Sequence, residues 1–307
     1  MFGAMPPVRW IALAAIVSAA CHSARSEKPG TAPDALPRGA RATATRELTG
    51  GVTVREVELD RGGTPMTIWI YRPAPAAAAR RSPVVAIAAA GSPLIWGVTL
   101  SDGDRAEHLP WAERGYVVVA YSVDGPVADR EDAGAIEVGV RAFLAAHAGL
   151  DNARAAIDLA LACEPRADPD RVYTVGHSSA ATLALRVGAE LPRVKAMVAF
   201  NPVTDVDAYL TPFIDPIRRM DPRAQPFLHD SSPRTHLAVL RAKPVFLFHS
   251  TEDVVVPVAE TERLGEELKP ASPATRVMIV PTGDHYHSMI EQGVPAALTW
   301  LDAVAAR

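Results

Sequence analysis

The sequence contains only two cysteines, Cys21 and Cys163, and they lie in very different surroundings. A fold held together by disulfides needs several cysteines in matched settings, so no disulfide framework is expected. Cys163 ends an alanine- and leucine-rich helical pattern, where a small buried apolar side chain fits.

An excess of positive charge is also absent, since 31 Lys and Arg residues face 35 Asp and Glu residues, a formal net charge of −4. Nucleic-acid-binding proteins need a basic surface to pair with phosphates, so nucleic acid is not an expected partner. The pair His285 and His287 suggests a metal site, but no further cluster of metal-ligand residues supports it. We therefore expect neither a metal nor any other cofactor.

Aromatic residues make up only 6% of the chain, although hydrophobic residues make up 49%. Alanine accounts for much of the difference, which favours close contacts between helices and a sheet. At 307 residues the chain is long enough to bury a large core, and no repeat or internal linker divides it. The sequence predicts one domain.

The apolar runs predict a sheet that becomes parallel along the chain. Apolar and polar residues alternate along segments 52–59 and 66–71, and a turn separates the two segments, which predicts an antiparallel hairpin. Continuous runs predict strands that are covered on both faces, and helical patterns separate most of them. These runs are 84–90, 116–121, 172–175, 195–200, 244–249 and 276–280. The predicted fold class is α/β, with a mostly parallel eight-stranded sheet flanked by helices.

A candidate nucleophile lies in the segment Gly176-His177-Ser178-Ser179-Ala180, where an apolar run meets a helical pattern. A serine held at such a sharp strand-to-helix turn needs small residues two positions before and after it, because the turn crowds the backbone. Gly176 and Ala180 meet this requirement.

A serine becomes a strong nucleophile when an imidazole takes its proton and a carboxylate orients that imidazole. Two later strands end in suitable residues, within 249–257 and 281–287. The chain order is then Ser, Asp, His, which is the order of the α/β-hydrolases.

Over roughly residues 50 to 305 the sequence resembles the α/β-hydrolase fold, nearest to its dienelactone-hydrolase-like and prolyl-oligopeptidase-like members. The resemblance implies Ser178 as nucleophile, Asp253 as acid and His285 as base. Dienelactone hydrolases use cysteine as nucleophile, and no propeller sequence of the two-domain oligopeptidases is present, so this chain departs from both. The matching segments are Glu113-Arg114-Gly115-Tyr116-Val117-Val118-Val119, Gly176-His177-Ser178, Thr251-Glu252-Asp253 with Pro257, and Gly283-Asp284-His285.

Two members of this triad, the acid and the base, have a rival in the sequence. Asp205, which follows the sixth strand, is an alternative carboxylate, and His287 is an alternative base. Glu252 and Asp284 fit loop capping or a solvated position better than catalysis.

An oxyanion formed during acyl transfer needs two N–H donors, one from the residue after the nucleophile and one from the loop after the third strand. Ser179 supplies the first, and Gly91 or Ser92 is predicted to supply the second. Trp96 follows in the same loop and fits either a pocket wall or a buried loop anchor.

The amino-terminal residues have the layout of a signal peptide, because Arg9 precedes the apolar run 10–17 and a run of small residues ends at Cys21. This layout resembles bacterial lipoprotein signals and implies lipidation of Cys21, with ordinary signal cleavage as the alternative. We expect residues 1–21 to be the signal, 22–48 a flexible tether and 49–307 the hydrolase domain. The protein is then exported to the cell envelope, and a lipid at Cys21 is its one expected membrane contact.

The segment 201–243 is a proline-punctuated insertion after the sixth strand and a candidate cap. Its charges of both signs do not fit a lid for long-chain lipids, so the sequence favours small esters with short to medium acyl groups. Within it, Arg218 or Arg219 either receives an acidic group or is a solvated surface pair. A serine peptidase and a non-catalytic binding protein remain alternatives, and the sequence carries no signal of oligomeric state.

Overall fold

The computed structural model describes residues 36–75, 81–269 and 274–306. Within these residues nine strands form a single sheet in the order β1-β2-β3-β5-β4-β6-β7-β8-β9. The strands are Ala40–Glu47 (β1), Thr53–Asp60 (β2), Pro65–Arg72 (β3), Ser82–Ala88 (β4), Val117–Tyr121 (β5), Ala167–His177 (β6), Val194–Phe200 (β7), Val245–Ser250 (β8) and Arg276–Val280 (β9).

The first three strands are antiparallel to their neighbours, and β4 to β9 pair in parallel. The predicted fold class is therefore confirmed, with nine strands instead of the eight expected. The additional strand is β1, so the predicted tether over 22–48 is wrong for residues 40–47. Every residue of β1 is at least partly exposed, and its alternating small and polar side chains include no apolar run.

Helices cover both faces of this sheet and connect the parallel strands. They are Arg105–Glu113 (α1), Ala133–Ala145 (α2), Leu150–Cys163 (α3), Ser179–Glu190 (α4), Val206–Leu210 (α5), Ile214–Met220 (α6), Ala224–Ser231 (α7), Leu237–Leu240 (α8), Val258–Leu268 (α9) and Val294–Ala305 (α10). A π-helical turn at Met289–Gly293 leads directly into α10.

Two apolar cores lie on opposite faces of the sheet, and successive residues of one strand contribute to them in turn. In β4, Val84 and Ala86 face the core built with α3 and α4, whereas Val85 and Ile87 face the core built with α1 and α10. Side chains on a strand alternate between its faces, so burial on both sides requires a continuous apolar run. This explains the uninterrupted apolar segments of the sequence.

The 201–243 insertion is largely helical and includes α5 to α8. Val206, Ile217 and Leu228 of the insertion pack with Trp96 and with Val140 of α2 in a third apolar cluster. The insertion is thus packed against the loop that follows β4.

Among the described residues no single helix is long and apolar enough to cross a membrane. The bent pair Ala133–Ala145 and Leu150–Cys163 meets the length and composition requirement only when its two helices are taken together.

Candidate active site

The candidate nucleophile lies at a strained turn between β6 and α4. Ser178 has φ 56° and ψ −122°, a backbone conformation that residues with a side chain rarely adopt. A Cβ placed on Gly176 would lie 2.2 Å from the carbonyl oxygen of Ala180, so only glycine fits there without a backbone shift. The backbone N–H of Ser178 donates to the carbonyl oxygen of Phe200 at 2.9 Å, which fixes the turn against β7. The requirement for small residues predicted from the sequence is confirmed at Gly176.

Asp253 and His285 meet at the carboxyl ends of β8 and β9. The Nδ1 atom of His285 lies 2.6 Å from Oδ2 of Asp253, and the Asp253 side chain is fully buried. A charge-assisted hydrogen bond of this length orients the imidazole and leaves its other nitrogen, Nε2, to take up a proton.

The Asp253 carboxylate accepts hydrogen bonds from several further donors. Nδ2 of Asn201 lies 2.5 Å from Oδ2, and Nε2 of His249 lies 3.2 Å from the same oxygen. The backbone N–H groups of Val255 and Val256 donate to Oδ1 at 2.8 and 3.0 Å. This number of donors compensates for burying the charge, because an unpaired carboxylate in the interior is strongly unfavourable.

Burial and hydrogen bonding act in opposite directions on the pKa of each partner. Burial alone raises the pKa of Asp253, but the hydrogen bonds from His249 and His285 outweigh it and hold that pKa well below its usual range. Burial lowers the pKa of His285 below its ordinary value, although the hydrogen bond to Asp253 acts in the other direction. At neutral pH the pair is therefore a carboxylate beside a neutral imidazole, the state that a general base requires.

His177, the residue before Ser178, ties the His285 loop to the turn that carries the serine. Its Nε2 atom lies 2.9 Å from the carbonyl oxygen of His285, and the two imidazole rings are 4.6 Å apart. The Nδ1 atom of His177 lies 3.5 Å from Oε1 of Glu107, a buried residue of α1. Nε2 of His285 is buried and has no hydrogen-bond partner within the described part of the chain, so it makes no bond to Ser178 in this structure.

The three predicted oxyanion residues are brought together beside Ser178. The backbone N–H groups of Gly91 and Ser92 point at the side chain of Ser179 and donate to its Oγ at 3.1 and 3.0 Å. Gly91 has φ 92°, a conformation that favours glycine. The hydroxyl of Ser92 donates to the carbonyl oxygen of Trp96, whose buried side chain belongs to the third apolar cluster. Trp96 thus fits the loop-anchor alternative.

The rival carboxylate and the rival imidazole lie in other environments. Asp205 caps α5 through the N–H of Ala208 and forms an ion pair with Arg234 at 3.1 Å. His287 is exposed, with 66% of its side chain accessible, and its Nδ1 lies 2.7 Å from Asp284.

Loop capping accounts for the other two acidic residues of this region. Glu252 accepts from the backbone N–H of Gly283, and Asp284 accepts from those of Tyr286 and His287. These three contacts agree with the loop-capping role that the sequence suggested for both residues.

Two residues of the site escaped the sequence analysis, Asn201 and His249. Asn201 directly follows β7 and has φ 53°, a conformation that asparagine adopts more readily than most residues. His249 lies inside β8, and its Nδ1 is 2.7 Å from Oγ1 of Thr261. A polar residue at the end of a buried strand was the available signal for each.

The two arginines of α6, Arg218 and Arg219, are exposed. Arg218 donates to Gln225 and lies 3.6 Å from Asp215, so it fits the surface-pair alternative. The predicted lipidation site Cys21 and the predicted signal 1–21 lie outside the described residues.

Solved structures of known enzymes share this fold at low sequence identity. A Paenibacillus sp. R4 acetyl xylan esterase has a TM-score of 0.62 and 16% identity, over 87% of this chain and 89% of that one. A Solibacter usitatus glucuronoyl esterase has a TM-score of 0.62 and 16% identity, over 90% of this chain and 88% of that one.

A Pyrococcus horikoshii acylaminoacyl peptidase matches with a TM-score of 0.61 and 14% identity over 86% of this chain. This chain spans only 48% of that peptidase, about half of its length. No curated protein sequence matches the chain significantly.

The model of the prolyl oligopeptidase family matches residues 104–306, which include the Ser178 turn, Asp253 and His285. The match covers well over half of the sequence, and the sheet topology and the serine turn agree with it. The chain therefore belongs to the prolyl oligopeptidase family and has the α/β-hydrolase fold.

Proposed function

We propose that this protein hydrolyses carboxylic esters through an acyl-enzyme formed on Ser178. The observation that carries the proposal is the 2.6 Å contact between His285 and Asp253, on a loop that His177 ties to the serine turn. The partners proposed are thus small-molecule esters.

In the acylation step, Oγ of Ser178 attacks the ester carbonyl carbon while Nε2 of His285 takes the hydroxyl proton. The carbonyl oxygen becomes an oxyanion beside Ser179, and the resulting imidazolium is stabilised by the carboxylate of Asp253. Collapse of this intermediate breaks the bond to the leaving alcohol, which receives the proton from His285.

Deacylation repeats the same chemistry with water. Nε2 of His285 takes a proton from a water molecule, whose oxygen attacks the acyl carbon. The bond to Ser178 then breaks, its Oγ regains the proton from His285, and the carboxylic acid is released. His285 thus alternates between base and acid, which requires a neutral resting imidazole.

A small cavity lies close to the candidate site, and neither Ser178 nor His285 is among its lining residues. It has a volume of about 30 Å³ and lies beside Ser179 and Ser92, with Leu94, Val123 and Phe143 among its apolar lining residues. This volume holds one or two water molecules. This chain also aligns with nearly the full length of both esterases described above.

The class of substrate is tested with p-nitrophenyl esters of acetic, butyric and octanoic acid beside proline and other arylamide peptides. We expect the highest kcat/KM for the acetyl and butyryl esters, because an alcohol leaves more readily than an amine and the mixed charges of the 201–243 insertion do not fit a long acyl chain. An amide kcat/KM above that of the short esters would contradict the proposal.

A serine peptidase is the second candidate, and the match to the prolyl oligopeptidase family is the observation that favours it. The same panel separates the two activities. A non-catalytic binding protein of this fold would hydrolyse neither class and would not react with a fluorophosphonate.

We also propose that the protein is exported and that Cys21 carries a lipid. The support is the apolar run 10–17 after Arg9 and the small residues before Cys21. Several acyl chains at this residue would anchor the protein firmly, whereas one chain binds a bilayer only weakly. Intact-mass measurement of membrane-extracted protein tests this: a mature chain that begins elsewhere, or lacks an acyl mass, would refute it.

A further inference from the structure

The side-chain oxygen of Ser179 lies where an oxyanion would accept hydrogen bonds from the backbone N–H groups of Gly91 and Ser92. The N–H groups of Gly91 and Ser92 both donate to Oγ of Ser179, at 3.1 and 3.0 Å. One of these amides was expected to bind the substrate oxygen directly, and in this structure both donate to the Ser179 hydroxyl instead.

The hydrogen-bond capacity of a hydroxyl then determines what Ser179 can do. A serine oxygen has two lone pairs and one proton, and both lone pairs of Ser179 accept from the two amides. Its proton is left to donate, and within the described residues it donates no hydrogen bond. Two accepted hydrogen bonds polarise the O–H group and make it a stronger donor.

The location of Ser179 suits contact with the reacting carbonyl. It directly follows Ser178 and is the first residue of α4, so its own N–H has no carbonyl partner within that helix. Its side chain is nearly buried and borders the small cavity, where a donor is worth more than in water. One residue can thus present both an N–H and an O–H donor beside the nucleophile.

Resting on the proposed function, we propose that the hydroxyl of Ser179 donates directly to the substrate carbonyl oxygen as negative charge develops on it. Gly91 and Ser92 then act through this hydroxyl, holding its oxygen and directing its proton. The opposing arrangement has the Ser179 side chain turn away and leave the two amides to bind the oxygen themselves.

The substitution Ser179→Ala separates these arrangements when kcat and KM are measured on p-nitrophenyl acetate. A direct donor predicts a loss of about 10²-fold in kcat with little change in KM, the typical effect of removing one oxyanion donor. Ser179→Cys keeps the size of the side chain and is expected to lose at least about tenfold, because a thiol is a weak donor. An unchanged or faster kcat in both variants would overturn the proposal.

A thionoester of the same alcohol identifies contact with the carbonyl oxygen itself. Sulfur accepts hydrogen bonds weakly, so Ser179→Ala should slow the oxoester much more than the thionoester. Equal losses on both substrates would show a structural role of Ser179 and overturn the proposal. Ser178→Ala is measured in parallel: if it stays active, the proposed function fails, whereas an inactive Ser178→Ala beside a fully active Ser179→Ala refutes only this inference.

Discussion

At the scale of single residues, the protonation state of His285 sets the pH range of activity. Burial lowers its pKa below the ordinary 6.5, and the charge of neighbouring His177 lowers it further. The base must be neutral, so kcat/KM should fall on acidification with a midpoint below pH 6.5. In His177→Asn the midpoint should move to higher pH, since one of the lowering influences is removed. A pH profile of both proteins measures this, and a midpoint that moves to lower pH in the variant would contradict it.

The choice between the two carboxylates is a second residue-scale prediction. Asp253→Asn should lower kcat by about 10⁴-fold, because an amide holds the imidazole less well and does not stabilise its charged form. Asp205→Asn is the matched control, since Asp205 bonds to Ala208 and Arg234 and should leave kcat nearly unchanged. Steady-state kinetics on an acetyl ester decides it: a larger loss in Asp205→Asn would refute the assignment.

Chain order and strand position predicted Ser178, Asp253 and His285 as a group, and the structure places His285 and Asp253 in hydrogen-bond contact. The sequence could not predict Asn201 or His249, because their shared contact with Asp253 arises only where β7 and β8 lie side by side. It also gave no indication that the Ser179 side chain accepts hydrogen bonds from two backbone N–H groups of the loop that follows β4. Contacts between distant segments depend on side-chain directions that no local pattern specifies.

At the scale of secondary-structure elements, the close approach of β6 and α4 is what holds Ser178 in position. Gly176→Ala should destabilise the fold by about 1–3 kcal/mol and lower kcat, because the added Cβ would meet the Ala180 carbonyl oxygen and push the elements apart. Gly103→Ala is the control, since its Cβ would lie 3.6 Å from the nearest atom. Thermal denaturation of both variants tests this, and equal melting temperatures would contradict it.

The elements that could be predicted were those with a clear apolar signal. Strands covered on both faces need continuous apolar runs, and the eight strands expected from such runs or from alternation are all present. Strand β1 was missed because it lies at the edge of the sheet and pairs only with β2. An edge strand with partly exposed residues needs no apolar run. Its formation therefore depends on pairing with the neighbouring strand and not on its own composition.

At the scale of the whole molecule, the parallel strands bring the loops of the candidate site together at their carboxyl ends. The loops after β4, β6, β7, β8 and β9 carry Gly91, Ser178, Asn201, Asp253 and His285, in the crevice where α/β folds bind ligands. The insertion packs on the β4 loop through its own apolar cluster. Its helices were not predicted, because they are short and because proline and charged residues interrupt the apolar spacing that indicates a helix.

The central claim is that Ser178 is a nucleophile activated by His285 and Asp253, and covalent labelling tests it most directly. Folded protein is treated with a fluorophosphonate, and the labelled peptide is identified by mass spectrometry in the wild type, His285→Ala and His287→Ala. We predict one label, on Ser178, that forms at a normal rate in His287→Ala and at a greatly reduced rate in His285→Ala. A label on another residue, no label at all, or loss of labelling in His287→Ala with retention in His285→Ala would contradict this account.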